Sequence, residues 1–172
     1  AHAVAYVLMA YSIAYCKVHH PKHFYASYFT VRATDFDYTH VSKGSHYIKN
    51  FIKSVYQQGF RASVLDKSIA TYLELANEMI ERGYEFEKVD LYKSHPTKFL
   101  ITEKGLRPPL ASLAGVGNNA ALSIAEARDV NNPFISREDL RQRAGIGKSV
   151  IERLADVGVL DDLPESNQID LF

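Results

Sequence analysis

Two short stretches of this chain set backbone amides and side chains where an anion would be held. Gly115-Val116-Gly117-Asn118-Asn119 and Gly145-Ile146-Gly147-Lys148-Ser149 each place a glycine-hydrophobe-glycine turn ahead of an apolar-periodic run. Glycine permits backbone geometry that a Cβ obstructs, and it lets another backbone come close. The helix start that follows leaves amide N–H groups without intrahelical partners, and the helix dipole favours negative charge there. A phosphate is the natural guest, and Lys148 adds a cation beside the second turn. GIGKS is not a nucleotide-binding phosphate loop. That loop needs a glycine five positions before its last one, and this chain has Gln142 there with no strand before it.

Other groups that could do chemistry carry less. His19 and His23 have the spacing of a helical metal pair, but Pro21 lies between them and only Cys16 is a nearby companion. Surface or interface histidines are the plainer reading, and no metal site is assigned. Asp35 and Asp37 sit in a helix-breaking link where helix caps are commoner than paired metal ligands. Tyr6, Tyr11, Tyr15, Tyr25, Tyr28 and Phe29 could stack on bases, but their helical spacing fits core packing. No catalytic residue is assigned.

The glycine turns need helices on both sides. Leu110 and Leu113 precede the first turn; Val116, Ala121 and Ile124 follow it at spacings that pack two helices together, with the small Ala121 at the crossing. This arrangement resembles the helix-hairpin-helix motif, which grips nucleic-acid backbone without reading sequence. The first copy has Ala114 where that motif often has proline. The second matches at Gly145, Ile146, Gly147 and Leu154, but Arg143 replaces an apolar residue and Ile151 a small one. Two copies joined by a connector resemble the tandem form, whose paired hairpins can follow both strands of a duplex. Residues 107–153 hold seven Arg and Lys against five acids, a net charge of +2. That suits modest contact within a larger binder.

Ahead of the hairpins the periodicity predicts helices. Residues 2–18 align Val4, Val7, Leu8, Tyr11, Ala14, Tyr15 and Val18. A second helix begins at Pro21 with Phe24, Tyr25, Tyr28 and Val31. A third carries Ile48, Phe51, Ile52 and Val55 and ends near Gly59; a fourth carries Ile69, Tyr72, Leu73, Ala76, Met79 and Ile80 before Gly83. YEFEKVDLY and KFLITEKGL then read as two short strands around a polar turn. Further short helices are expected at about 109–113, 117–129, 136–142 and 147–156. The predicted fold is mainly α: a helical bundle over 1–83, a short β-hairpin connector over 84–109, a tandem helix-hairpin-helix unit over 110–160, and a flexible acidic tail over 161–172.

The tail ends in Gln168-Ile169-Asp170-Leu171-Phe172. An exposed Leu-Phe pair is costly unless a partner, or the chain's own core, covers it. The pentapeptide resembles the motif by which bacterial polymerases and repair proteins hold the sliding clamp. The resemblance gives Gln168, Ile169, Leu171 and Phe172 as clamp contacts.

Composition bounds the rest. The chain has 172 residues, 47% of them hydrophobic, with formal net charge zero. It reads as globular, and any electrostatic attraction to nucleic acid must be local. A single cysteine excludes an internal disulfide framework and fits a reducing cytoplasm. No apolar run is long enough to span a membrane. The chain opens without methionine inside a helical pattern and is expected to be a piece of something longer.

The opening stretch, AHAVAYVLMAYSIAYCKVHHPKHFYASYFTVRATDFD, closely resembles the late fingers segment of bacterial replicative DNA polymerase III alpha subunits of the PolC type. LELANEMIERGYEF, the short strands, the two hairpins and QIDLF follow in that family's order. The resemblance implies a C-terminal piece that holds template-primer duplex and tethers the enzyme to the sliding clamp for processive synthesis. It implies a parent DNA-directed DNA polymerase whose Mg ions are held by palm aspartates expected upstream of Ala1. The piece itself would carry no cofactor and be inactive alone. Lys17, Lys22, His2 and Arg32 are candidates for proximity to nucleic acid or triphosphate, though no motif pins them. Two other readings stay open: a helix-hairpin-helix DNA-repair enzyme domain, and a protein-interaction module without DNA affinity.

Overall fold

Proline disfavours helical geometry in the residue before it but suits a helix's own first turn. Helix α1 (His2–His19) accordingly stops at His20, and Pro21 begins α2 (Pro21–Val31) in the computed structural model, which describes residues 2–166. A one-turn α3 (Tyr38–Val41) follows, then α4 (Gly44–Gln58) and α5 (Val64–Glu81). Asp37 caps α3 by accepting from the Thr39 amide, while Asp35 accepts from the Ser68 hydroxyl. Both acids thus act as structural acceptors. Beyond α5, Gly83 N–H donates to the Ile80 carbonyl and Tyr84 N–H to the Met79 carbonyl, the paired bonds that close a helix at glycine.

Helix α5 is the spine of the first half, with Tyr72, Leu73, Ala76 and Met79 buried. The α2 stripe is rotated from the expected one. Tyr25, Ala26 and Phe29 are buried, Phe24 and Tyr28 partly so, and Val31 lies exposed in the last turn, past the edge of the core. Tyr25 donates to Glu78, which also binds the Lys17 ammonium at 2.7 Å. Burial pushes the Glu78 carboxyl up, but Lys17 and Tyr25 outweigh it and hold it below the ordinary carboxylate value. The α1 stripe differs more. None of its residues is buried, and Val4, Val7, Leu8, Tyr11, Tyr15 and Val18 stand open, as do Tyr6, Met9 and Ile13 on its other faces. The helix is apolar nearly all round, and among the described elements it packs mainly on α2.

The two expected strands do not form one hairpin around a polar turn. The first run supplies only β1 (Glu85–Phe86). From Asp90 the chain turns, because the Asp90 carboxylate accepts from the Tyr92 and Lys93 amides while Ser94 accepts from the Asp90 amide. The second run is itself a hairpin of β2 (Leu100–Ile101) and β3 (Gly105–Arg107). Strand β1 adds to β3 in parallel, pairing Glu85 with Gly105, for a strand order β1-β3-β2. The last stretch holds a 3-10 turn at Leu110–Ser112, then α6 (Asn118–Ala127), α7 (Arg137–Ala144) and α8 (Lys148–Asp156). One apolar core runs from Tyr25 through Leu106, Leu110, Ile124 and Leu154 to Leu160.

Candidate nucleic-acid interface

In each glycine turn the central hydrophobe is buried and its flanks are exposed. Val116 and Ile146 sit in the core, while Gly115, Gly117, Gly145 and Gly147 face solvent, as do Asn118, Asn119, Lys148 and Ser149. The hydrophobe pins the turn, so the glycines and the first residues of α6 and α8 are held outward. Ala121, Ile124 and Leu154 are fully buried beneath them. Ile151, standing where the first copy has Ala121, is half-buried and lines an open groove with Arg137, Arg141, Lys148 and Glu152.

The two glycines of each turn do different work. Gly115 has φ +85° and Gly145 +62°, left-handed values that side chains rarely adopt. Gly117 and Gly147 have φ −69° and −71°, which any residue takes. A Cβ on Gly117 would meet nothing within 4 Å, and one on Gly147 only the Ser149 hydroxyl at 3.8 Å. The backbone-freedom argument therefore applies to the first glycine of each pair. The second leaves clear space in front of a helix start. Helices α5 and α7 begin at Ser63 and Ser136, whose hydroxyls accept from the Asp66 and Asp139 amides. Helices α6 and α8 begin at glycines that offer no side-chain acceptor, so their first-turn amides are directed at whatever lies outside.

Most basic side chains of this region already hold parts of the chain. Arg107 pairs with Glu87. Arg128 donates to the Leu91 and Ser94 carbonyls at 3.1 and 2.7 Å. Arg143, the misfit of the second hairpin, donates to the Ala127 and Asn132 carbonyls at 3.0 Å each, pairs with Asp139, and lies over the Phe134 ring. It closes the end of α6 and fixes the connector between the hairpins. Arg137 donates to the Leu163 and Leu160 carbonyls, and its amide to Pro164. Arg141, Lys148 and Arg153 remain as exposed cations; Lys148 has a weak partner in Glu152 at 3.8 Å.

Among the described residues no group of His, Cys, Asp and Glu comes together to hold a metal ion. The His19 ring packs at a tilt against Tyr15, 4.3 Å between centroids, and the His20 ring lies 6.2 Å from it. Lys22 donates to the Thr102 and Glu103 carbonyls, bracing α2 on the hairpin. Asp129, the acid that follows the first hairpin, accepts from the Asn131 amide in a turn. Gln168, Ile169, Leu171 and Phe172 lie outside the described residues. No helix among the described residues is long and apolar enough to cross a membrane.

A family model described as the helix-hairpin-helix motif matches residues 83–169. Across its full 172 residues the chain is 55% identical to a DNA polymerase III PolC-type protein of Halalkalibacterium halodurans and 50% identical to that of Bacillus subtilis. A DNA polymerase III PolC-type protein of Clostridium perfringens is 53% identical over 171 residues. The chain spans 12% of the length of each of these relatives.

Proposed function

Because the chain belongs to the helix-hairpin-helix family, we propose that it is the duplex-holding part of a replicative DNA polymerase of the PolC type, gripping template-primer DNA by its phosphates. The observation that carries this reading is the second glycine of each hairpin. Neither Gly117 nor Gly147 is required by its backbone angles or by crowding inside the chain. Both keep open the space in front of a helix start, which is what close approach of a phosphate needs. Such contacts position a duplex without reading its bases. The chemistry of nucleotide addition would belong to the remainder of a longer polymerase, in the cytoplasm.

The tail extends the proposal. Arg137 and Glu138 amides donate to the Pro164 and Glu165 carbonyls, so the acidic segment leaves from the start of the second hairpin. Gln168, Ile169, Leu171 and Phe172 would then reach a sliding clamp from a body seated on DNA.

The test of the phosphate grip is the double variant Gly117→Ala/Gly147→Ala. Alanine at an ordinary φ restricts the unfolded chain, favouring the fold by about 0.4–1 kcal/mol per site. Alanine is a poorer helix cap than glycine by a similar amount. The two effects offset, so the melting temperature should hold while affinity for mixed-sequence duplex falls. Unchanged duplex affinity would refute the grip.

A further inference from the structure

The two hairpins are not equally supplied with charge. The second has Lys148 at the first position of its helix, and the first has the neutral Asn118 there. In the structure, however, the first turn is not without a cation. A Cβ on Gly115 would lie 3.1 Å from Arg153 Cγ, 3.5 Å from its Nε and 3.7 Å from its Cδ. The Arg153 side chain, carried by α8 of the second hairpin, therefore lies across the turn of the first. The reverse contact is missing. A Cβ on Gly145 would meet nothing within 4 Å, and the residue of the first copy that corresponds to Arg153 is Ser123.

We propose that Arg153 is the phosphate-binding cation of the first hairpin, delivered across the pair by the second. This rests on the phosphate-gripping reading above and deepens it. Arg153 is exposed, and its partner Asp156 stands at 3.7 Å with both side chains largely in solvent. A pair of that kind holds its arginine weakly. A guanidinium presents planar N–H donors that match a phosphate's oxygens, so a phosphate on the α6 amides displaces Asp156 readily. Gly115 then serves two ends at once: its backbone takes a left-handed angle, and its missing side chain is the bed on which the Arg153 stem lies. The first hairpin's amides and its cation come from different copies of the motif. The tandem arrangement is thus a functional unit, and one hairpin alone would lack half of the first site.

The experiment uses the full 172-residue chain, a mixed-sequence duplex, and binding measured over a series of KCl concentrations. Arg153→Gln keeps the aliphatic stem over Gly115 and removes the charge. It should lower the salt slope by about one unit, as Lys148→Gln should, and the two together by about two. Arg153→Lys should keep the slope. A scan of single methylphosphonate positions in the duplex should show two groups of sensitive phosphates. Arg153→Gln should lose sensitivity at one group, and Lys148→Gln at the other. If Lys148→Gln behaves as expected while Arg153→Gln leaves slope and scan unchanged, the assignment of Arg153 is wrong and the grip stands. If the unaltered chain binds duplex without salt dependence, the grip itself fails, and Arg153 with it.

Discussion

Arg143 stands where a helix-hairpin-helix usually has an apolar residue, and by type and place it reads as one more cation for DNA. Its guanidinium instead meets the Ala127 and Asn132 carbonyls, the Asp139 carboxylate and the Phe134 ring, with its side chain three-quarters covered. The same holds for Arg107, Arg128 and Arg137, each bound to another part of the chain. A count of charges in residues 107–153 therefore overstates what is available to phosphate. Arg143→Leu would restore the usual side-chain type but leave the carbonyls at the end of α6 and in the connector without their donor. Hydrogen bonds from a charged group contribute about 1.5–3 kcal/mol each in favourable settings. With partial solvent access, the expected loss for the whole cluster is about 1–3 kcal/mol. Urea unfolding should show it, while the salt slope of duplex binding stays as it was. A changed slope with unchanged stability would return Arg143 to the DNA-facing set.

At the scale of elements, the three-stranded sheet joins the helical half to the hairpins, and it depends on one close approach. Gly105 sits opposite Glu85 in the parallel pair, and a Cβ there would collide with the Glu85 backbone, lying 2.6 Å from its nitrogen. Gly105→Ala should push β1 off β3 and lower the melting temperature by several degrees; an unchanged melting curve would show that the β1–β3 contact is dispensable. This pairing was not legible in the sequence. Strand residues announce themselves by alternation, but strands of two or three residues carry too little of it to fix a partner, and parallel pairing depends on where the long link between them folds back. The first run stops pairing after Phe86 and turns at Asp90, which in the sequence is just another polar residue in an alternating stretch. The long helices and both glycine turns were legible because each has local causes: apolar residues at three- and four-residue spacing, Pro21 at a start, glycines at ends. The buried stripe of α2 is rotated by about one residue from its apolar periodicity, since Phe24, Tyr25, Tyr28 and Phe29 are all apolar and only tertiary packing selects among them. The cross-hairpin place of Arg153 has no local cause at all.

At the scale of the molecule, the chain is apolar at one end and acidic at the other. Helix α1 exposes Val7, Leu8, Tyr11 and Ile13, which is the surface of a helix that a larger body would surround, and relatives are about eight times longer. The opposite end carries Asp161, Asp162 and Glu165 before the residues that resemble a clamp motif. Its root is fixed to α7 by the Pro164 and Glu165 carbonyls, beside the groove that Lys148 and Arg141 line. On the proposed function, a segment anchored there would meet a clamp on the same side as the second hairpin's proposed phosphate site. Two weak contacts on one body reinforce each other, because the second becomes intramolecular once the first is made. Leu171→Ala/Phe172→Ala should therefore cost about 2–4 kcal/mol in clamp binding if the pair acts as buried anchors. It should leave the melting temperature and the affinity for duplex alone nearly unchanged. Titration calorimetry of both proteins against a sliding clamp, with and without duplex, would measure it. The fold-loss with duplex present should be no larger than without it, since any contact that runs through the duplex is shared by both proteins. Equal clamp affinity for the two proteins would remove the tail from the proposal, and a large fall in melting temperature would mean that Leu171 and Phe172 pack on the chain's own core.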